Sequence, residues 1–200
     1  MTVIVSDHGE NLLDHVPNFE HGRTLFASTT RIVCMFRLPQ ARLGGTRVPG
    51  LISSIDVLPT LLAQAGAPVP GDIAGHALFL DRPVEGPFRE YVYSEATKPQ
   101  EYERSDDAWF NLSKARAIRG NEYLLVNTPK TERMSFYQWR VDSGEQNDLM
   151  RGSVFDLQLT PVRETMRELL EKWAHEHAPL QTLNVRSEDE ELDAQLDALG

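Results

Sequence analysis

The stretch that most limits what this chain can fold into is its first ten residues, Met1 to Glu10. Val3, Ile4 and Val5 are consecutive β-branched residues, followed at once by Ser6-Asp7-His8-Gly9. An apolar run without polar alternation suits a strand covered on both faces, as in a parallel sheet flanked by helices. Polar side chains at the carboxyl end of such a strand stand where open α/β sheets bind ligands. Adjacent residues in a continuing strand point apart, but Gly9 lets the backbone turn, and Asp7 and His8 can then converge on one ion. The expectation is a metal-binding pair. A parallel strand also needs neighbours delivered by crossover connections, so the chain is expected to be the carboxy-terminal part of a longer protein.

Bulk properties narrow the classes. The chain has 200 residues, 40% of them apolar and 25% charged, which fits a globular protein. No apolar run approaches the ~20 residues that span a bilayer, so no transmembrane segment and no leader are expected within it. Net charge is −10, with six acids and no base in residues 187–200. No basic patch interleaves with aromatics, so a nucleic-acid partner is not expected. Cys34 is the single cysteine and excludes an internal disulfide. It sits in a second apolar run, Arg31 to Phe36, where a thiol reads as core filler.

Further along, Asp56 reads as the cap of a helix with Pro59 in its first turn and Gly66 at its end. Ile55, Leu58, Leu61, Leu62 and Ala65 form its apolar stripe. Residues 66–90, including His76, read as surface loop, and Tyr91 to Glu95 as a strand. Residues 114–142 read as antiparallel strands, with Arg116, Arg119, Lys130 and Arg133 on a solvated face. Thr160-Pro161 opens a second helix, striped by Val162, Met166, Leu169, Leu170 and Trp173. His175 and His177, two apart, face different sides of that helix and make a poor metal pair. Ser187 to Gly200 reads as a short acidic helix. The expected division is an α/β part over 1–95 and a small antiparallel sheet with a packed helix over 96–200.

Taken together, several of these segments occur in a telling order: Ser6-Asp7-His8-Gly9-Glu10, then Glu20-His21-Gly22-Arg23-Thr24-Leu25-Phe26, a strand, then Ser54-Ile55-Asp56-Val57-Leu58-Pro59-Thr60-Leu61-Leu62. Later come Arg116 to Leu125, and Phe136-Tyr137 followed by Asp142 and Glu145-Gln146-Asn147-Asp148-Leu149. This order resembles the carboxy-terminal portion of the sulfatase family, within the alkaline-phosphatase-like superfamily. The resemblance implies an α/β/α sandwich plus a small antiparallel sheet subdomain with a packed carboxy-terminal helix. It implies that Asp7 and His8 complete a divalent-cation site, calcium in most members. It gives His21 the catalytic position that contacts the sulfate or the leaving oxygen, where an imidazole can also donate a proton. The substrate would be a sulfate ester. Family members are often periplasmic or secreted, and the compartment of this protein stays open.

The departures limit the expectation. Sulfatases use a formylglycine made from a C/S-x-P-x-R motif, and Cys34 is followed by Met35-Phe36-Arg37. The nucleophile and the other metal-binding acids would lie outside these 200 residues, so the isolated chain is expected to be inactive. A related phosphonate or phosphodiester hydrolase, or a phosphoethanolamine transferase, using Zn²⁺ or Mn²⁺, is the second enzymatic reading. A catalytically inactive remnant or binding module is the non-enzymatic one.

Overall fold

The computed structural model describes residues 1–15, 19–78, 88–96, 114–129, 132–151 and 157–177. The expected acidic helix over 187–200, the polar stretch 97–113 and Lys130 lie outside these residues. The elements run β1 (Thr2–Val5), β2 (Asn11–Leu12), β3 (Phe19–Glu20), α1 (Ala27–Thr30), β4 (Cys34–Arg37), α2 (Val57–Gln64), β5 (Val92–Glu95), β6 (Arg116–Arg119), β7 (Leu124–Thr128), β8 (Arg133–Tyr137) and α3 (Thr160–Glu176). None of the described helices is long and apolar enough to cross a membrane.

The largest body is a four-stranded antiparallel sheet in the order β5-β6-β7-β8. Its two faces take alternate residues, as the two-residue period of a strand requires. Ile118, Leu125 and Phe136 pack against Met166 and Leu170 of α3. Ala117, Leu124, Val126 and Tyr137 pack with Leu25 and Ala96, with Phe26 and Trp139 against them. Both faces are therefore covered, which is why Leu124-Leu125-Val126 shows no alternation. The expected solvated face is corrected accordingly. Arg116 and Arg119 are largely buried and bind Glu95 and Glu145; they stand on opposite faces, Arg119 with Ala117 on the face that Leu25 of the amino-terminal segment covers, and Arg116 beside its cross-strand neighbour Glu95. Arg133 does remain exposed. The expected boundary at 95/96 falls inside this sheet, since β5 pairs with β6 from Val92↔Arg119 to Glu95↔Arg116.

β1 departs from its expected surroundings. Within this chain it is neither parallel nor sealed, and pairs antiparallel with β4, Thr2↔Arg37 to Val5↔Cys34. Ile4 is 57% exposed and Met35 54%. No helix or second sheet among the described residues covers that face, whereas Phe36, opposite Val3, packs on Leu38 and Leu78. Ser6 extends the pairing through its own N–H to the Val33 carbonyl, while its Oγ accepts from the Val33 N–H.

α2 follows a 3₁₀ turn, Ser54–Asp56. The capping residue is Ser53, not Asp56. Asp56 is the acid of a capping box and accepts from the Ser53 N–H at 2.9 Å. It is fully buried, bonded also by the His76 N–H and paired with Arg89. At the other end Gly66 takes φ +69, with Ala67 N–H on the Leu62 carbonyl and Gly66 N–H on that of Ala63, a Schellman ending. Thr160 provides no side-chain cap to α3, whose first turn follows directly from a 3₁₀ turn at Leu157–Leu159. Pro161 does lie in that first turn. At its last turn, His177 donates through Nδ1–H to the Trp173 carbonyl and stacks on the Trp173 ring.

Candidate functional site

Asp7 and His8 leave β1 where the chain meets α1. Gly9 permits this approach, although not by a left-handed turn. A Cβ at Gly9 would lie 2.1 Å from the Ser28 carbonyl oxygen, and the Gly9 N–H donates to the Thr29 carbonyl at 2.9 Å. The requirement is closeness of two backbones. Thr29 is buried and ties its hydroxyl to the Thr24 carbonyl, which fixes the segment after His21. At the far end of α1, the buried Glu145 carboxylate accepts from the Ala27 N–H and from Arg119. The segment carrying the site is thus bolted to the sheet.

The three expected site residues come together. His8 Nε2 lies 3.6 Å from Asp7 Oδ2, and the rings of His8 and His21 stack with centroids 4.0 Å apart at 21°. The Asp7 side chain is 87% exposed. Hydrogen bonds from the His8 N–H and then from its own backbone N–H hold its carboxyl below the usual range. His8 Nδ1 is 2.6 Å from the Gly9 carbonyl, an acceptor, so Nδ1 carries the proton and Nε2 the lone pair in the neutral ring. A backbone carbonyl in this role is the usual support of a metal-binding histidine. Two acceptors, Nε2 and Oδ2, then face one another and favour a cation or proton between them.

The donor chemistry therefore fits two positions of a divalent-cation site. No group of three or more His, Cys, Asp or Glu suited to a metal occurs among the described residues. Burial raises the Cys34 thiol above its ordinary value, which disfavours the thiolate.

Glu10 was not singled out from the sequence, although it closes the same motif. Its Oε2 accepts from His21 Nδ1 at 3.1 Å, leaving His21 Nε2 for other partners. Its Oε1 is buried without a partner among the described residues. The pairing spans eleven residues and depends on how β2 and β3 fold back on each other, Asn11↔Glu20. Asp7, His8 and His21 line a cavity of about 1040 Å³. Its other wall holds Tyr93, Glu95, Arg119, Trp139 and Arg140, residues whose joint placement no local sequence pattern shows.

No family model matches the chain. Among curated proteins it is similar to arylsulfatase K of Rattus norvegicus, 22% identical over 161 residues, which are 80% of this chain and 25% of the relative. It is also similar to a Delta 4,5-hexuronate-2-O-sulfatase of Bacteroides thetaiotaomicron, 25% identical over 153 residues, 76% of this chain and 30% of the relative. A solved 2-O GAG sulfatase structure superposes with TM-score 0.68 at 25% identity, over 87% of this chain and 36% of that one. The chain is sulfatase-like, with part of an alkaline-phosphatase-like fold.

Other fold neighbours of this sulfatase-like chain include a structure in complex with its substrate D-glucosamine-2-N,6-O-disulfate, TM-score 0.70 at 22% identity, over 90% of this chain and 36% of that one. The phosphonate monoester hydrolase of Agrobacterium radiobacter matches with TM-score 0.68 at 20% identity, over 88% of this chain and 35% of its own. The sulfatase-like chain spans about a quarter to three-tenths of the curated relatives it matches.

Proposed function

We propose that this chain is the carboxy-terminal, substrate-facing part of a sulfatase-type hydrolase acting on sulfated saccharides. The observation that carries the reading is the convergence of Asp7, His8 and His21 on one large cavity in a chain with sulfatase relatives. Asp7 and His8 supply two donors to a divalent cation, and the remaining donors and the nucleophile belong to the rest of the parent polypeptide. A bound cation supplies positive charge against the transferring group. Calcium suits the pair if the other donors are oxygens, whereas zinc or manganese suits it with fewer. His21, oriented through Nδ1 by Glu10, presents Nε2 to the cavity and in its protonated form can hand a proton to the departing alcohol. The phosphonate reading uses the same donors, but the two sequence relatives are sulfatases by name.

The test is a calorimetric titration of the 200-residue chain with Ca²⁺, Mn²⁺ and Zn²⁺, run beside an aryl-sulfate assay. One of the cations should bind weakly, and Asp7→Asn should weaken it about tenfold or more, with no aryl-sulfate turnover. Equal affinity in the wild type and Asp7→Asn would remove the metal role. Robust turnover by the chain alone would overturn the division of labour.

A further inference from the structure

The cavity has a second end that the metal pair and His21 do not use. In a chain of net charge −10, that cavity is lined by three arginines, Arg31, Arg119 and Arg140. Of the acids lining it, Glu95 is taken by Arg116 and Lys114, and Asp7 stands beside His8. Arg119 spends Nη1 on Glu145, while its Nη2 is buried with no hydrogen-bond partner among the described residues. Arg140 has no carboxylate partner among the described residues. Its Nε donates to the Asn121 carbonyl at 2.7 Å, and its guanidinium lies 4.6 Å from the centre of the Trp139 ring. Arg119 approaches the same ring at 5.4 Å.

Trp139 is itself fixed, since Nε1–H donates to the Gly120 carbonyl at 2.9 Å. Both side chains therefore hang from the turn between β6 and β7, and the guanidinium of Arg140 keeps its outer N–H groups for a ligand. A cation positioned in advance by backbone bonds and ring stacking costs little ordering entropy on binding. Guanidinium N–H groups match the geometry of carboxylate and sulfate oxygens. A cavity of about 1040 Å³ also exceeds what a single ester group requires, and accommodates a ligand of drug-like size.

We propose that Arg140, held on Trp139 beside Arg119, forms a second anion subsite that takes a carboxylate or sulfate elsewhere on the saccharide whose ester faces His21. This rests on the saccharide-sulfatase reading and narrows it to acidic saccharides carrying at least two anionic groups. The shared chemistry is an oxyanion on the sugar. Two probes distinguish its sources.

The experiment measures binding of the 200-residue chain to N-acetylglucosamine 6-sulfate, to D-glucosamine-2-N,6-O-disulfate and to a 2-O-sulfated hexuronate, by calorimetry in one buffer. One or both dianions should bind at least tenfold more tightly than the monosulfate, and which of them does identifies sulfate or carboxylate as the second group. Arg140→Gln should erase that advantage while leaving monosulfate affinity within twofold. Arg47→Gln removes the same charge away from the cavity and should preserve the advantage. No dianion advantage in the wild type, an advantage that survives Arg140→Gln, or equal loss in Arg47→Gln each overturns the subsite. An Arg140-dependent advantage with all affinities unchanged in Asp7→Asn and His21→Ala keeps the subsite and removes the reading of the ester end. Binding of none of the probes overturns both.

Discussion

β7 and β1 are both short runs of apolar, largely branched residues, and they end in opposite surroundings. Leu124 and Leu125 of β7 are sealed, one against Leu25 and the other against α3. Ile4 and Val5 of β1 stay exposed, as do Val33 and Met35 beside them. The region from β5 to α3 holds most of the larger core, with Leu25 and Phe26 of the amino-terminal region packed on one of its faces. The region before β5 has smaller packing, Leu38 and Leu78 with Phe36, Leu43, Ile52 and Phe88. Yet the proposed site, Asp7, His8 and His21, sits on the second of these, at the end of β1. The larger core and the proposed site are thus on different parts of the chain, joined through Leu25 in the sheet core and Glu145 on the Ala27 N–H. In the proposed parent enzyme, the open face of β1 and β4 is where the remaining α/β layers would pack.

The largest effect should come from cutting the sealed region. Phe136 is fully buried and stacks on Tyr123 at 5.1 Å between ring centres. Phe136→Ala should cost about 3–5 kcal/mol, from lost transfer energy and the cavity left behind, read by urea denaturation. Because Leu25 and Glu145 tie the site segment to this sheet, circular dichroism and the His8–His21 ring signals in NMR should be lost in one transition. Two separate transitions would break the comparison by making the regions independent.

Much of that sealed region was legible in the sequence. β6, β7 and β8 are short β-rich runs separated by turn formers, and α3 shows its stripe from Val162 to Trp173. What misled was local reading of a non-local fact. Arg116 and Arg119 look solvated because they alternate with apolar residues, but a partner 26 residues away, Glu145, makes burial of Arg119 possible. Asp56 looks like a cap for the same reason, since Arg89 lies 33 residues on. The site motif was legible as a cluster of residue types in Asp7-His8-Gly9-Glu10. The stacking of His21 on His8 and its bond to Glu10 depend on a fold-back that no spacing rule specifies. The surroundings of β1 did not follow from its pattern, because an unbroken apolar run predicts cover on both faces and the described residues leave Ile4 and Met35 exposed.

The next effect tests the smaller core. Burial pushes the Asp56 carboxyl up, but bonds from Arg89 and from the His76 and Ser53 N–H groups outweigh it, so the carboxyl titrates below its ordinary value of 3.8. Folding therefore favours the ionised form. The stabilisation is complete above pH 3.8 and is lost as pH falls through the lower folded-state value. Asp56→Asn leaves Arg89 without its carboxylate and should cost about 2–4 kcal/mol at neutral pH. The gap between wild type and variant should narrow only below pH 3.8, as followed by thermal melts across pH 3 to 7. A gap that is constant across this range would show that the pair contributes through packing, not charge.

The smallest effect is expected where the strand looks most like core. Ile4→Thr and Ile118→Thr make the same chemical change in two strands with opposite surroundings. Threonine keeps the branched side chain that strands favour, so backbone preference largely cancels between them. Ile118 is fully buried between the sheet and α3, and there the hydroxyl loses water and apolar contact is lost, for about 2–4 kcal/mol. Ile4 already faces water over more than half its surface, so its change should stay within about 0.5 kcal/mol. Urea denaturation of the two variants measures the difference directly. A cost at Ile4 approaching that at Ile118 would mean that the open face of β1 is covered in solution, by a second copy of the chain or by its own remaining residues. The same measurement repeated over a hundredfold range of protein concentration separates those two covers, because only the first depends on it.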